Sequence, residues 1–257
     1  MHVAITGASV GIGEAMARVW GARGASLSLV ARRKDRLEAL AKELGCKTSV
    51  HEVDLSIPER ATDWIAPAEK ALGPIDVLVN NAGVQHIEPV EFAVPEEGER
   101  LLRLNVFTPL RIVRAVLPGM MERRSGTIVD IASMVAITPM PGMYYYNASK
   151  GALANASEGL RGELRGTGIH VVTVYPGPVA TDLGVTGLSK YESTWASRLS
   201  PLGNADELAR LVVRAVDKKK ARVVYPGSLA IALLFPRLAR WVTARMTPPV
   251  KRLPRGG

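Results

Sequence analysis

The chain has a single cysteine, Cys46, in 257 residues. One thiol forms no internal disulfide, and no Cys/His cluster has metal-ligand spacing, so neither a disulfide scaffold nor a metal site is expected. There is no run of about 18 apolar residues, so no membrane-spanning helix is expected. The opening Met1-His2-Val3-Ala4-Ile5-Thr6 enters a strand pattern directly. Without a basic stretch ahead of a hydrophobic one, no secretory leader is read there. A reducing, cytoplasmic setting is the expectation. Internal repeats and low-complexity stretches are also missing. Acidic residues are absent from the C-terminal end: residues 218–257 hold ten Lys and Arg and no Asp or Glu. The net charge of +9 therefore sits there, and the body, with 23 basic and 24 acidic groups, carries −1. A nucleic-acid binder usually carries basic groups across a folded face, so no nucleic-acid partner is expected.

What is present is an alternation of short aliphatic runs and longer helical stretches. Strands are expected at His2–Thr6, Ser26–Ala31, Thr48–Val53, Val77–Asn80, Gly126–Ile131, His170–Tyr175 and Arg222–Tyr225. Runs such as Val171-Val172-Thr173-Val174 suit strands buried on both faces of a parallel sheet. Helices are expected at Gly11–Arg23, Lys34–Leu44, Pro58–Ala71, Glu96–Arg123, Met143–Arg165 and Ala205–Lys218. This alternation predicts a Rossmann-like, doubly wound α/β fold: a seven-stranded parallel sheet with helices on both faces. Residues 1–225 read as one domain with a substrate lid near 183–201, and 226–257 as a basic, apolar tail. In such sheets ligands bind at the carboxyl ends of the strands, where the unusual residues fall.

After the first strand comes Thr6-Gly7-Ala8-Ser9-Val10-Gly11-Ile12-Gly13, opening a helix. Glycines let backbone approach a pyrophosphate, and a helix N-terminus offers free N–H groups. The spacing is TGxxxGxG, and here the sequence resembles the short-chain dehydrogenase/reductase family. Further matches follow in the family's order: Asn80-Asn81-Ala82-Gly83, Asn105, Ser133, Tyr146-Asn147-Ala148-Ser149-Lys150, and Pro176-Gly177-Pro178-Val179-Ala180-Thr181. The resemblance implies a nicotinamide dinucleotide bound by Gly7, Ser9, Gly11, Ile12 and Gly13. It places Asp54 and Leu55 at the adenine edge, and Asn81, Ala82 and Gly83 beside the adenosine. It brings Pro176, Gly177, Val179, Thr181 and Ile12 to the nicotinamide end, with Tyr146 and Lys150 also touching the cofactor. The second strand ends Ala31-Arg32-Arg33-Lys34 with no carboxylate before Asp35. A guanidinium pairs with a ribose 2′-phosphate where an acidic group would repel it, so Arg32 and Arg33 favour NADP(H).

Tyr146 and Lys150 are four apart on a helix and share a face. A free tyrosine titrates near pH ~10. A neighbouring ammonium is expected to lower that and suit the phenol to general acid–base work. Of Tyr144, Tyr145 and Tyr146, the last alone has a lysine at i+4 and lies thirteen residues beyond Ser133. Ser133 can hydrogen-bond the substrate oxygen. By resemblance, Asn105 holds a water that links Lys150 to solvent, and Lys150 also fixes the nicotinamide ribose. Catalytic roles thus fall to Asn105, Ser133, Tyr146 and Lys150, in hydride transfer between a ketone and a secondary alcohol.

Residues 134–143 and the lid residues Leu183, Val185, Leu188, Tyr191, Trp195 and Leu199 are mainly apolar, which points to an apolar or lipid-like small-molecule substrate. Gln85-His86 resembles hydroxybutyrate dehydrogenases of the same family, an NAD-dependent alternative. Residues 134–145 lack the polar or basic groups those enzymes use for a carboxylate. A non-catalytic dinucleotide-binding regulator is a further alternative, although it would be free to lose Tyr146 or Lys150. Small residues along 143–165 suit helix packing across a two-fold, and the family commonly forms dimers or tetramers. The tail, with Phe235, Arg237, Arg240, Trp241 and Arg245, fits a peripheral contact at the inner face of a membrane, a lid element or an oligomer contact.

Overall fold

Successive residues of the strands feed two separate cores. Val3, Ile5, Val77, Val79, Val129, Ile131, Val172 and Val174 enter one core, and Ala4, Leu78, Ile128 and Val171 between them enter the other. This is the period of two expected when both faces of a sheet are covered. The structure is a computed structural model and describes residues 1–192 and 202–251. Its strands are β1 (His2–Thr6), β2 (Ser26–Ala31), β3 (Thr48–Glu52), β4 (Val77–Asn80), β5 (Gly126–Ile131), β6 (Ile169–Pro176) and β7 (Arg222–Tyr225). All pair in parallel, in the order β3-β2-β1-β4-β5-β6-β7. The order reverses beside β1, so the loops after β1 and β4 part there and leave a crevice for a ligand.

The first core is closed by α1 (Gly11–Gly21) and α2 (Lys34–Leu44), and by α8 (Ala205–Asp217), through Met16, Trp20, Leu37, Leu208 and Val212. The second is closed by α3 (Ile65–Leu72), α5 (Thr108–Arg123) and the end of α6 (Tyr144–Glu163), with Trp64, Ile112, Val116 and Met120 buried in it. The remaining helices are α4 (Pro95–Leu102) and α7 (Asp182–Ser189), and after β7 α9 (Ile231–Leu234) and α10 (Pro236–Met246).

Two expected helices are shorter than the sequence suggested, and proline explains both. The stretch 58–71 begins as a 3-10 turn, Pro58–Arg60, and α3 starts at Ile65. Pro67 has no N–H and is tolerated only in a first helical turn, so the helix starts just ahead of it. The stretch 96–123 divides into α4, a π turn at Arg103–Phe107, and α5. Pro109 offers no N–H to the carbonyl of Asn105 four residues back, and the ladder widens there. The remaining strand and helix ends differ from expectation by one or two residues, within ordinary fraying.

The segment after β7 packs back on the body. Leu229, Ala232 and Ala239 join Met134, Ala154 and Tyr175 in one cluster, and Arg240 Nε donates to the Ile137 carbonyl at 2.9 Å. Beyond α10, the chain pairs with the segment that follows α7. Tyr191 and Val250 form an antiparallel bridge, Glu192 N donates to the Pro249 carbonyl, and Lys251 N donates to the Lys190 carbonyl.

Candidate active site

The cradle at β1 is made of backbone held at close quarters. Gly7 has φ +67°, and a Cβ there would lie 2.8 Å from Ala82 Cα. A Cβ on Gly13 would run into the Gly7 carbonyl oxygen and lie 2.6 Å from Asn81 Nδ2. Thr6 is the latch that holds these turns together: its Oγ1 accepts from the N–H groups of Asn81 (3.0 Å) and Ala82 (3.1 Å) and donates to the Val79 carbonyl. Asn81 Nδ2 donates to the Thr6 and Gly7 carbonyls. The turn stays tight, and the N-terminus of α1 carries no side-chain cap, as a phosphate-binding helix end requires. The cradle therefore fits a dinucleotide pyrophosphate.

The other cofactor residues expected from the sequence divide. Arg33 Nη2 donates to Ser9 Oγ at 3.2 Å, which brings a guanidinium to the phosphate loop, and Arg32 is exposed beside it. Asp54 accepts from both N and Oγ of Ser56, forming a turn in its own loop. Burial raises its pKa, but Ser56 and the nearby Arg32 outweigh that and hold the carboxyl below its usual range. The Leu55 side chain lies in the second core. Thr181 sits against Gly11, whose Cβ would be 3.2 Å from its Cγ2, and its Oγ1 accepts from Gly184 N. Ile12 packs on the first core, as does Val179, which is bridged to Gly203. Gly177 N donates to the Tyr225 carbonyl, so β7 anchors the loop after β6.

The four residues assigned to chemistry converge at the carboxyl end of β5. Ser133 Oγ accepts from Val135 N and donates to the Pro176 carbonyl, which fixes it between β5 and β6. Lys150 is buried and its Nζ donates to the Ile131 carbonyl at 2.7 Å, 5.9 Å from the centroid of the Tyr146 ring. Asn105 sits in the π turn, 1% exposed, with its amide exchanging two hydrogen bonds with Val84 backbone and donating to Ser149 Oγ. A Cβ on Gly83 would touch Asn105 Oδ1 and Lys150 Nζ together, so the β4 turn reaches this group. The three consecutive tyrosines take three directions. Tyr144 faces solvent, Tyr145 packs against Gly98 of α4, and Tyr146 is buried in the site.

The electrostatics differ from the sequence expectation. Burial dominates at Tyr146 and pushes its phenol up to about 12, with the Ser133 hydroxyl pulling the other way. Burial also brings Lys150 down to about 8, opposed by Asp130. Lys150 Nζ is engaged by the Ile131 carbonyl, and burial outweighs any lowering of the phenol by its charge. Asp130 was not singled out from the sequence. It lies buried on β5, accepts from Asn80 Nδ2 at 2.8 Å, and burial holds its carboxyl above the usual range.

Beside Tyr146 an apolar wall gathers Ile87, Leu101, Val135, Met143 and Tyr191, with Val84, Met140, Tyr145 and Val250 packed against it. Of the lid residues, Tyr191 is buried there and its hydroxyl donates to the Pro141 carbonyl, whereas Leu183 and Val185 face solvent. Trp195, Leu199 and the Leu188 side chain lie outside the described residues. Val250 belongs to the wall although nothing in its local sequence marks it. His86, Glu88 and Glu97 bring ligand-type atoms within 4.8 Å of one another, a grouping that sequence spacing could not show.

Comparison with known proteins adds to this geometry. The family model described as short chain dehydrogenase matches residues 1–191. A short chain dehydrogenase of Pseudocercospora fijiensis is 38% identical over 186 residues, 70% of this chain, which spans 60% of that relative's length. A fatty acyl-CoA reductase of Mycobacterium tuberculosis is 33% identical over 251 residues, covering 95% of this chain and 83% of the relative. A solved short-chain dehydrogenase from Sphingobium yanoikuyae, in complex with NADPH, superposes with TM-score 0.81 at 30% identity over 99% of both chains.

Proposed function

The chain belongs to the short-chain dehydrogenase/reductase family of oxidoreductases, and from that premise we propose that it uses NADP(H) to interconvert a ketone and a secondary alcohol on an apolar, lipid-like substrate. The observation that carries the proposal is the convergence of Ser133, Tyr146, Lys150 and Asn105 at the end of β5, within reach of the glycine cradle through Gly83.

NADP(H), when bound, supplies or receives the hydride at its nicotinamide ring. Gly7, Gly11 and Gly13 leave room for the pyrophosphate. Arg33, tied to Ser9, and Arg32 would hold the 2′-phosphate. Ser133 Oγ steadies the substrate oxygen as charge develops on it. Tyr146 Oη donates its proton to that oxygen when a ketone is reduced, and withdraws it when an alcohol is oxidised. Lys150 orients the ribose and, once its ammonium turns from the Ile131 carbonyl toward the phenol, favours the phenolate. Asn105, tied to Val84 and Ser149 beside Lys150, would keep a water there.

An apolar substrate is supported by the wall of Ile87, Leu101, Val135, Met143 and Tyr191, and by a relative named for fatty acyl-CoA reduction. The π turn and α5 expose Phe107, Leu110 and Met121. Gly151 and Gly159 are open around their Cβ positions. That surface suits a homodimer or homotetramer.

A panel of ketones and alcohols run with NADPH and NADH tests the reading. Tyr146→Phe should lose roughly 10²–10⁴-fold in kcat with the dinucleotide still bound. Replacing Arg32 and Arg33 by Ala should cost about 10–100-fold in kcat/KM with NADPH and little with NADH. Full turnover by Tyr146→Phe, or a wild-type preference for NADH, would overturn it.

A further inference from the structure

The C-terminal helices turn the usual order of an amphipathic surface inside out. In α10 the residues facing the body are small: Ala239 packs on the Met134–Tyr175 cluster and Thr243 is half-buried. The large apolar residues face outward: Leu238 and Trp241 are each 60% exposed, and Val242 lies beside them. Leu238, Trp241, Val242 and Arg245 follow the i, i+3, i+4, i+7 spacing of one helix face. Just upstream, Ile231, Leu234 and Phe235 are also exposed, Leu234 at 75%. Isolated surface leucines need no explanation, but a cluster of six large apolar side chains on consecutive elements marks a surface that something covers.

Charge identifies what covers it. Residues 226–251 carry Arg237, Arg240, Arg245 and Lys251 and no acidic residue. Among the described residues none of these four forms an ion pair with an acidic side chain. Arg245 instead stacks over the Trp241 ring, its guanidinium carbon 5.6 Å from the centroid. A second copy of the chain docked on this face through a two-fold would set arginines against arginines with no carboxylate between them. An anionic bilayer surface supplies both missing partners: phosphates for the guanidinium groups, and an apolar boundary for Trp241, Leu238, Phe235 and Leu234.

We propose that α9 and α10 form an in-plane docking surface for an anionic membrane. No helix among the described residues is long and apolar enough to cross a bilayer, so the contact is peripheral. The surface is joined to the substrate wall by a few residues. From Met246 the chain runs to Val250, which packs beside Tyr146, and to Lys251, whose Nζ donates to the Ser189 carbonyl at the end of α7. A docked α10 therefore holds the apolar end of the site close to the lipid boundary, where an apolar substrate is concentrated. The docking itself does not depend on the reaction proposed above.

The test is flotation of the full chain with vesicles of phosphatidylcholine alone and of phosphatidylcholine with phosphatidylserine. The expected result is flotation with the anionic vesicles, weakened by salt and by phosphatidylcholine alone. The triple variant Leu234→Ser, Leu238→Ser, Trp241→Ser replaces exposed side chains only, and should lose at least about tenfold in vesicle partitioning. Arg237→Glu with Arg245→Glu should lose at least about tenfold with anionic vesicles alone. All variants should keep wild-type turnover of a water-soluble ketone, so failure of docking is separable from failure of catalysis. A wild-type chain that stays at the bottom of the gradient overturns the proposal, as does flotation unchanged by the triple variant. Sedimentation showing that the triple variant dissociates a wild-type oligomer would assign the face to a second copy instead, and would also overturn it.

Discussion

Around Gly7 and Gly13 backbone lies against backbone, latched by the side chains of Thr6 and Asn81, whereas the wall beside Tyr146 is gathered from apolar side chains remote in the chain. In the first region the side chains of Thr6 and Asn81 bond main-chain groups of the neighbouring turns and hold Gly7 against Ala82, and a single added carbon has nowhere to go. In the second, Ile87, Leu101, Met143, Tyr191 and Val250 meet chiefly through apolar surfaces, with the Tyr191–Val250 bridge at one side. Backbone geometry fixes a shape to fractions of an ångström and tolerates almost no substitution. Apolar packing fixes a volume and tolerates exchange of one aliphatic group for another. On the proposed reading the cofactor end is therefore tightly constrained, and the substrate end is the place where specificity can change.

The sharpest way to break that contrast is at Gly13. Gly13→Ala sets a methyl against the Gly7 carbonyl, and overpacking against backbone costs about 1–3 kcal/mol. Dinucleotide affinity, measured by fluorescence titration, should fall about 10–100-fold. A Kd within twofold of wild type would show that the cradle yields as readily as the apolar wall. The complementary change is at the other end. A chain truncated after Met246 loses Val250 and the Tyr191 bridge. Its KM for bulky ketones should rise by roughly fivefold, the equivalent of about 1 kcal/mol of partial apolar burial, while dinucleotide Kd stays unchanged. If cofactor binding weakened equally, the two regions would be coupled rather than distinct.

A smaller effect lies away from both. Burial alone would raise the pKa of Glu158, but Arg222, Arg161 and Tyr175 hold it and bring the carboxyl down to about 2. A carboxylate whose folded pKa is depressed contributes stability that is complete above its unfolded pKa and is lost as pH falls through the folded one. The clasp joining α6, β6 and β7 should therefore weaken as pH falls from about 4.5 toward 2. Glu158→Gln should flatten the fall in Tm over that window. An unchanged slope would remove Glu158 from the acid response.

The same contrast explains what could be read from the chain and what could not. The glycine turn, the Arg32-Arg33 pair and the Tyr146/Lys150 spacing are local, so strand and helix periodicity placed them on the correct edge of the sheet. The seven strands were legible because each is a short aliphatic run buried on both faces. The Thr6 latch escaped notice because a threonine ending a strand has no distinguishing pattern; only its two N–H donors, more than seventy residues away, reveal it. The π turn at Asn105 required weighing Pro109 against the helix ladder. Val250 carries no local mark at all, since its partners Tyr191 and Gly142 are remote in sequence. Spacing reports that Lys150 and Tyr146 share a face, but not that both are buried and that the ammonium is engaged by the Ile131 carbonyl, so the rise of the phenol on burial could not be read from the chain.

That last point supplies the most direct test of the account. Burial pushes the Tyr146 phenol up to about 12, and the proposed role of Lys150 is to bring it down for proton exchange with the substrate. The measurement is the pH dependence of alcohol oxidation at saturating NADP+, in wild type and in Lys150→Met. The account requires a rate-controlling ionisation well below that of the free phenol in wild type, displaced upward in Lys150→Met. A wild-type profile governed near 12, or one that Lys150→Met leaves in place, would contradict it.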